Sequence, residues 1–255
     1  MKKIICLLFI ILIPSLQAIT LEEAISSEIR SEKNSTRDVH RNPYETLTFF
    51  GIKPSMRVIE LAPGGGWYTE ILSQYLFNDG ELIAAHFNPA NGGYQKRSRT
   101  AFDIKMGSNN AYKKVNVIDI DSNYSELGKI DAILTFRNLH NWVGPTMDTI
   151  FKNSFNALKS GGIFGIVEHR GNKNLSIDEI KKTGYVPEAF AIKEAEKQGF
   201  IFIKKSEINS NPKDLKNYEK GVWTLPPSLR MKNVDSDKYI AIGESDRFTL
   251  LFKKP

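Results

Sequence analysis

Histidine and glutamate side chains follow two apolar runs of the chain at places where they could move a proton. His140 comes soon after the run at 130–136, while Glu168 and His169 close the run at 162–168. If both runs are parallel strands, their carboxyl ends meet at one edge of a sheet, where ligands bind in α/β folds. Because imidazole titrates near neutrality, His140 is our candidate general base or acceptor-orienting group. The alternative is that these side chains only tie neighbouring loops together.

A glycine-rich segment, Gly64-Gly65-Gly66, is the second place where chemistry is indicated. Glycine has no Cβ and tolerates positive φ, so such a turn lets the backbone approach a ligand closely. A glycine turn alone is weak grounds for a function, because dinucleotide-binding enzymes have one too. Glu60 lies just ahead of it, where a carboxylate would repel a pyrophosphate and attract the ammonium of an amino-acid moiety. The pair favours a ligand with an amino-acid end.

Short apolar strands and longer amphipathic segments alternate around these residues. This alternation predicts an α/β fold, a Rossmann-like and mostly parallel sheet with helices on both faces. The predicted strands are 57–61, 81–86, 115–120, 130–136, 162–168, 200–204 and 248–252, and the predicted helices are 67–77, about 146–158 and about 187–198. Residues 209–244 have no clean period and read as a long ordered insertion before the last strand.

The N-terminus reads as a targeting segment. Lys2 and Lys3 precede ten unbroken apolar residues, and Ala18 offers a small residue at a cleavage site. We therefore expect a signal peptide at 1–18, cut after Ala18, with export to the periplasm and no stable membrane insertion afterwards. An uncleaved membrane anchor is the alternative. Residues 19–50 are expected to form a helical extension, with 34–42 as a polar loop, and 51–255 the main domain.

Composition excludes some classes of function. With 41% hydrophobic and 25% charged residues the chain is ordinary globular protein. A formal charge of +6, without a basic run interleaved with aromatic residues, does not favour nucleic acid as a partner. The four histidines, at 40, 86, 140 and 169, lack any metal-ligand spacing, so no metal site is expected.

The pattern Glu60-x-Ala62-x-Gly64-x-Gly66 resembles motif I of class I S-adenosylmethionine (SAM)-dependent methyltransferases, with Ala62 in place of the first glycine. The segment 158–168 is similar to the family's entry to strand five, and the likeness extends over nearly all of the chain after residue 50. The segments 135–142, 221–227 and 243–247 resemble a bacterial group of predicted methyltransferases that often carry signal peptides. The resemblance implies a seven-stranded sheet with an antiparallel last strand, and SAM as cofactor.

The resemblance also implies which residues bind the cofactor. They are Glu60, Ala62, the glycines 64–66 and Asp119, whose equivalent lies near the adenine. The family's ribose-binding acid at the end of strand two is missing; His86 stands there, and Asn88 follows. Either could hydrogen-bond a ribose. Arg137 and Asn138, in the loop after strand four, should line the same crevice.

The acceptor is expected to be a small molecule. Our candidates for its binding site are Trp142, Trp223 and Arg230, and the arginines at 137, 170 and 230 could each bind an anionic group or pair with a surface carboxylate. The insertion 209–244 is expected to form a wall or lid, with Trp223 as its apolar anchor; a surface flap or protein interface is the alternative. Two other functions stay open: a non-catalytic SAM- or metabolite-binding protein and, disfavoured by Glu60, a nicotinamide-dependent oxidoreductase.

Overall fold

The computed structural model describes residues 19–255, so the predicted signal peptide lies outside the described residues. Within that part of the chain, none of the helices combines the length and apolar character needed to cross a membrane. The strands are β1 (Arg57–Leu61), β2 (Glu81–His86), β3 (Asn116–Asp119), β4 (Ile130–Phe136), β5 (Leu158–Gly171), β6 (Val186–Pro187), β7 (Ile201–Ser206) and β8 (Arg247–Lys253).

Helices flank the strands, and most of them connect one strand to the next. They are α1 (Leu21–Ser26), α2 (Glu32–Ser35), α3 (Asp38–Arg41), α4 (Pro43–Phe50), α5 (Thr69–Tyr75), α6 (Gly93–Gly107), α7 (Leu139–Trp142), α8 (Pro145–Ala157), α9 (Ile177–Thr183), α10 (Glu188–Lys197) and α11 (Ser236–Ile242). Short 3-10 helices lie at Pro89–Asn91, Asn110–Tyr112, Tyr124–Leu127 and Gly221–Thr224.

The strands form one sheet in the order β3-β2-β1-β4-β5-β8-β7, and the short β6 pairs with the end of β5. Strands β1 to β5 are parallel, whereas β8 runs antiparallel to both β5 and β7. The predicted fold, a mostly parallel sheet with an antiparallel last strand, is confirmed. The order reverses between β1 and β4, so the crevice for a ligand opens at their carboxyl ends.

Each face of the sheet has its own apolar core. Ile59, Ile133 and Phe164 pack on one face with residues of α8 and α10. Val58 and Leu134 face the other side, together with residues of α1, α4 and α5. The N-terminal helices therefore share a core with the sheet, and the chain between α1 and α4 is held near its carboxyl edge.

Two segments differ from the sequence-based expectation. The 15-residue helix α6 was not predicted, because only Phe102 and Met106 of it are buried and its first half is polar. The prediction that residues 34–42 form a loop is wrong in part, because the end of α2 and the whole of α3 lie within them. Asp38 begins α3 and accepts two hydrogen bonds from the Arg30 guanidinium, at 2.6 and 2.7 Å. This ion pair constrains a segment that has little helical pattern of its own.

Candidate functional site

The turn after β1 is left-handed at three positions. Ala62, Gly64 and Gly66 have φ of 48°, 58° and 77°. Ala62 therefore has a left-handed conformation, which glycine adopts more readily than alanine. A Cβ added at Gly64 or Gly65 would meet no atom within 4 Å, whereas one at Gly66 would lie 3.2 Å from the Phe102 ring. Open space thus lies over Gly64 and Gly65, while Gly66 packs against the protein.

His86, at the end of β2, is fully buried beside this turn. Its Nδ1 accepts a hydrogen bond of 2.7 Å from the Phe87 amide, so Nε2 carries the proton and donates to the Gly64 carbonyl at 3.1 Å. Burial lowers the pKa of His86, which keeps the ring neutral. Both ring nitrogens are used within the protein. The ring thereby holds the glycine turn in place, and the contact of His86 with a ribose stays a prediction.

Glu60 lies beneath the turn with 2% of its surface exposed. Its Oε2 accepts a 2.6 Å hydrogen bond from the Thr69 hydroxyl. Burial raises the pKa of Glu60 to about 7, against the opposing effects of Thr69 and Lys105. A carboxyl group in this state gains from a cation close above it, because an ammonium would favour the charged form.

A cavity of about 370 Å³ opens over the turn; we call it the glycine-turn cavity. Gly64 and Gly65 form its floor, and Arg137 and Asn138, from the loop after β4, line it as well. The N-terminal segment contributes a third side. The side chains that it supplies there are Ser31, Lys33, Asn34, Arg37 and Arg41. None of these five was predicted.

Arg137 and Asn138 are placed by the ends of β1 and β4. Arg137 has φ of 64°, a conformation that side-chain-bearing residues rarely adopt, and its amide donates to Val167 O at 2.7 Å. Burial lowers the pKa of its guanidinium to about 10. Asn138 Nδ2 lies 3.2 Å from the Ala62 carbonyl and 3.1 Å from that of Phe136. Asn138 therefore fastens the glycine turn to β4, and Arg137 presents a cation to the cavity.

A second cavity, of about 330 Å³, lies beyond the ends of β2 and β3; we call it the strand-end cavity. Phe87, Ile120 and Trp142 give it apolar walls. Asp121, also in its lining, accepts a hydrogen bond of 2.7 Å from Asn91 Nδ2. Trp142 belongs to the same post-β4 loop as Arg137, so this loop reaches both cavities.

Two acids, Asp119 and Asp121, lie at and after the end of β3, and their surroundings differ. Asp119 accepts a 2.7 Å hydrogen bond from Arg99 and is not among the residues that line the strand-end cavity. Asp121, two positions later, does line it and was missed. Asn88 also lines this cavity and lies 3.3 Å from Asp121. A carboxylate and two amides are thus gathered where hydroxyl groups of a ligand could be bound.

The structure brings His140, Glu168 and His169 together, as predicted from their strand ends. Glu168 is fully buried, and its two oxygens accept from the amides of Leu139 (2.5 Å) and His169 (2.7 Å). His140 Nδ1 lies 3.3 Å from Glu168 Oε1. If Nδ1 carries the proton, Nε2 keeps a free lone pair that could accept a proton from a ligand. The arrangement is a carboxylate-oriented imidazole, the usual form of a histidine base.

His169 completes the cluster from the other side. Its Nδ1 contacts the Ser245 hydroxyl, and its ring centroid lies 5.4 Å from that of His140. Burial, followed by the charges of His140, Arg137 and Arg247, lowers the pKa of His169 well below its ordinary value. His169 is therefore neutral at neutral pH and suits a hydrogen-bonding role better than a charged one.

The same three side chains form a possible metal-ligand set, because their ligand atoms lie within 4.8 Å of one another. The expectation that the histidines are scattered is wrong for these two. Two histidines and a carboxylate would suit a divalent transition metal. However, both Glu168 oxygens already accept amide hydrogen bonds, and Arg137 and Arg247 bring positive charge close to His169. The surroundings favour the hydrogen-bonded cluster over a bound cation.

The insertion 209–244 contacts this cluster through Trp223. The indole lies edge-on to the His140 ring with 5.7 Å between centroids, and the Arg230 guanidinium lies 4.6 Å from the indole centroid. Trp142, expected beside them, is instead buried in the wall of the strand-end cavity. Of the two alternatives given for Arg170, the structure shows the pairing with carboxylates, since Arg170 forms ion pairs with Glu207 and Asp246.

Two contributors that were not predicted lie where the insertion meets β8. Ser245 contacts His169, and Glu244 accepts hydrogen bonds from Arg37, Arg41 and Arg247. At the base of the insertion, Asn209 bonds the hydroxyls of Thr46 and Thr249. Deleting 209–244 would remove several of these contacts, so point variants test the site more cleanly.

Comparison with known proteins supports the fold assignment. No protein-family model matches the chain, and no curated protein matches its sequence. Among solved structures, a SAM-dependent methyltransferase from Aquifex aeolicus is similar over 93% of this chain and 100% of its own, with TM-score 0.59 and 15% identity. The glycopeptide N-methyltransferase MtfA, complexed with S-adenosylhomocysteine, is similar over 85% and 90%, with TM-score 0.55 and 12% identity.

A third similar structure is the [4+2]-cyclase SpnF, with TM-score 0.60, 13% identity and coverage of 90% of this chain and 86% of its own. At these identities the likeness is one of fold. Because a cyclase shares it, the fold alone does not decide the reaction. The chain has the fold of SAM-dependent methyltransferases.

Proposed function

We propose that this protein is an exported enzyme that transfers a methyl group from SAM to a small-molecule acceptor. The observation that carries the proposal is the position of the loop after β4. It borders both the glycine-turn cavity and the strand-end cavity, and it holds His140 against Glu168. Two ligand cavities and a candidate base are therefore served by one loop at the carboxyl edge of the sheet.

The residues present fit SAM as the cofactor. The floor at Gly64 and Gly65 has room for an amino-acid chain, and Glu60 beneath it suits the ammonium. In the strand-end cavity, Asp121 and its two asparagine partners would bind ribose hydroxyls, and the apolar walls would cover the adenine. When bound, SAM supplies a methyl group already activated on a sulfonium.

The protein's own task is then to orient the acceptor and take its proton. We assign proton acceptance to His140 Nε2, with Glu168 holding Nδ1–H and stabilising the positive charge that His140 gains. With SAM bound, its activated methyl group would go to the acceptor's nucleophilic atom, leaving S-adenosylhomocysteine, and His140 would take the proton that the acceptor loses. Trp223, packed beside His140, would exclude water from this side.

The described residues give less support to the two alternative functions. Ala62 and His86, which favoured a non-catalytic binding protein, both serve the turn: one adopts the left-handed conformation and the other fixes Gly64. A nicotinamide-dependent oxidoreductase is opposed by Glu60, because a buried carboxyl group under the turn would disfavour a pyrophosphate above it.

The test is transfer of isotope-labelled methyl from SAM into small-molecule extract by the purified protein. His140→Asn keeps a donor for Glu168 but removes the base, so we expect kcat to fall by roughly 10²–10⁴-fold with S-adenosylhomocysteine affinity unchanged. His40→Asn, at an exposed histidine, is the matched control. Cofactor binding without any labelled product across the extract would instead support the non-catalytic binding protein.

A further inference from the structure

The glycine-turn cavity has an unusual charge. Among residues 19–255, five cationic side chains line it and no aspartate or glutamate does. The cations are Lys33, Arg37, Arg41, Lys105 and Arg137. Lys105 forms an ion pair with the buried Glu70, and Lys33 is exposed to solvent. The charges of the three arginines therefore need a partner most.

One buried carboxylate serves these arginines. Glu244, 3% exposed, lies 2.8 Å from Arg37 Nε and 3.1 Å from Arg41 Nε. It also lies 3.1 Å from Arg247 Nη1 and 3.9 Å from Arg137 Nη1. Four guanidinium groups thus share one carboxylate. Glu168, the next acid to act on Arg137, is already occupied by two amides and His140. Even if it is counted, two positive charges remain without a partner.

Arg41 also has a hydrogen-bond donor without an acceptor. It is 3% exposed, and its Nη2 is buried without a hydrogen-bond partner. Its guanidinium lies 4.8 Å from the centroid of Trp67, another lining residue, which fixes its orientation. A buried donor without an acceptor costs free energy, so an acceptor supplied by a ligand would be bound favourably.

Arg137 provides a second cation whose charge is only partly matched by a carboxylate. Its nearest carboxylate oxygen is at 3.9 Å, which is too far for a hydrogen bond. Its backbone has φ of 64°, a conformation that costs about 1 kcal/mol or more in a residue with a side chain. A strained backbone that places a half-buried cation at a cavity is a feature of ligand sites.

SAM does not balance this charge, because its carboxylate is offset by its ammonium and its sulfonium adds a positive charge. We propose, resting on the methyltransferase function proposed above, that the methyl acceptor is an acid whose phosphate or carboxylate groups bind Arg41 and Arg137 in the glycine-turn cavity. The cavity volume of about 370 Å³ is that of a small-molecule site.

The first test needs only the wild-type protein. Inorganic phosphate and succinate are titrated calorimetrically, with and without S-adenosylhomocysteine, at constant ionic strength. Saturable binding of at least one anion is expected in both conditions. Binding of neither would overturn the proposal. Anion binding without any S-adenosylhomocysteine binding would uphold the cationic site but reject both the methyltransferase function and the assignment of the anion to an acceptor.

Variants then locate the anion. Arg41→Met and Arg137→Met should each weaken it at least tenfold, while Arg57→Met, at the opposite end of β1, should not. Unchanged affinity in whichever of the two variants folds would overturn the assignment. A third outcome would show that Arg41 binds the cofactor and not the acceptor. In that case Arg41→Met weakens the binding of S-adenosylhomocysteine, but not that of the anion or of 5′-methylthioadenosine, which lacks the amino-acid end. Arg41 would then hold the cofactor's carboxylate, and the acceptor proposal would be wrong.

Discussion

His86 Nε2 donates a hydrogen bond of 3.1 Å to the carbonyl oxygen of Gly64, joining the end of β2 to the glycine turn after β1. The two residues lie 22 positions apart, yet the proton position is fixed because the Phe87 amide occupies Nδ1. The resemblance described above implies an acid at the end of strand two that would reach the ribose. Here that position stabilises the turn, and Asp121 after β3 supplies the carboxylate of the strand-end cavity.

The first prediction concerns this hydrogen bond. His86→Leu should lower the free energy of unfolding by about 1–3 kcal/mol, because the Gly64 carbonyl and the Phe87 amide lose their partner. His86→Gln places an amide nitrogen near the position of Nε2 and should recover part of the loss. Urea denaturation of the three proteins checks this. Equal stabilities of the Leu and Gln variants would show that the bond to Gly64 contributes little.

Ala62 gives a prediction of opposite sign. The left-handed region costs a residue with a Cβ about 1–2 kcal/mol. Glycine avoids this cost but loses more conformational entropy on folding. Because Ala62 has φ of 48°, Ala62→Gly should be neutral to about 1 kcal/mol more stable. Ala84→Gly, at a buried position within β2, should be destabilising and serves as the control. A comparable loss in both variants would mean that the turn is not left-handed at residue 62.

Glu60 should make stability depend on pH. Burial raises its pKa from 4.5 to about 7, so the folded state holds the proton more tightly than the unfolded state does. The free energy of unfolding should therefore fall as pH rises from about 4.5 to 7, by about 3 kcal/mol at most. Glu60→Gln removes this dependence while retaining an acceptor for Thr69. Parallel pH profiles of wild type and variant, measured by urea denaturation, would contradict the raised pKa.

The strands next to the site could be predicted from the sequence because burial dictates their pattern. β1, β2 and β4 have the expected bounds, each being a short apolar run bordered by turn residues. The proximity of the candidate base His140 to Glu168 and His169 could be predicted from these strands, because parallel strands end at one edge of the sheet. Helix α6 could not be predicted in the same way, because it buries two side chains and lacks a continuous apolar face.

The arginine cluster was not predictable from local patterns. Arg41 and Glu244 are 203 positions apart, and neither lies in a motif that indicates the other. Arg37 and Arg41 come from a polar stretch that reads as a loop, and their role depends on the packing of the N-terminal helices against the sheet. The different surroundings of Asp119 and Asp121 were not predictable either, because Asp119 pairs with Arg99 on α6, a helix that was not predicted.

Export stays a prediction from residues 1–18. Protein purified from an exporting host should begin at Ile19, because Ala18 follows a positive start and a ten-residue apolar run. Intact-mass spectrometry checks this. A species that still carries Met1 would favour the membrane-anchor reading, and fractionation of the host would then show where the protein resides.

The central claim is that the cofactor binds over Gly64 and Gly65, and calorimetric titration with S-adenosylhomocysteine tests it most directly. Gly65→Val projects a side chain into open space at a position with an ordinary φ, so the variant should fold normally and lose binding. Gly66→Val, by contrast, would press on Phe102 at a positive φ and should unfold more easily. We predict one-to-one binding to the wild type, abolished in a well-folded Gly65→Val protein. Undiminished binding to that variant, or none to the wild type, would contradict the account.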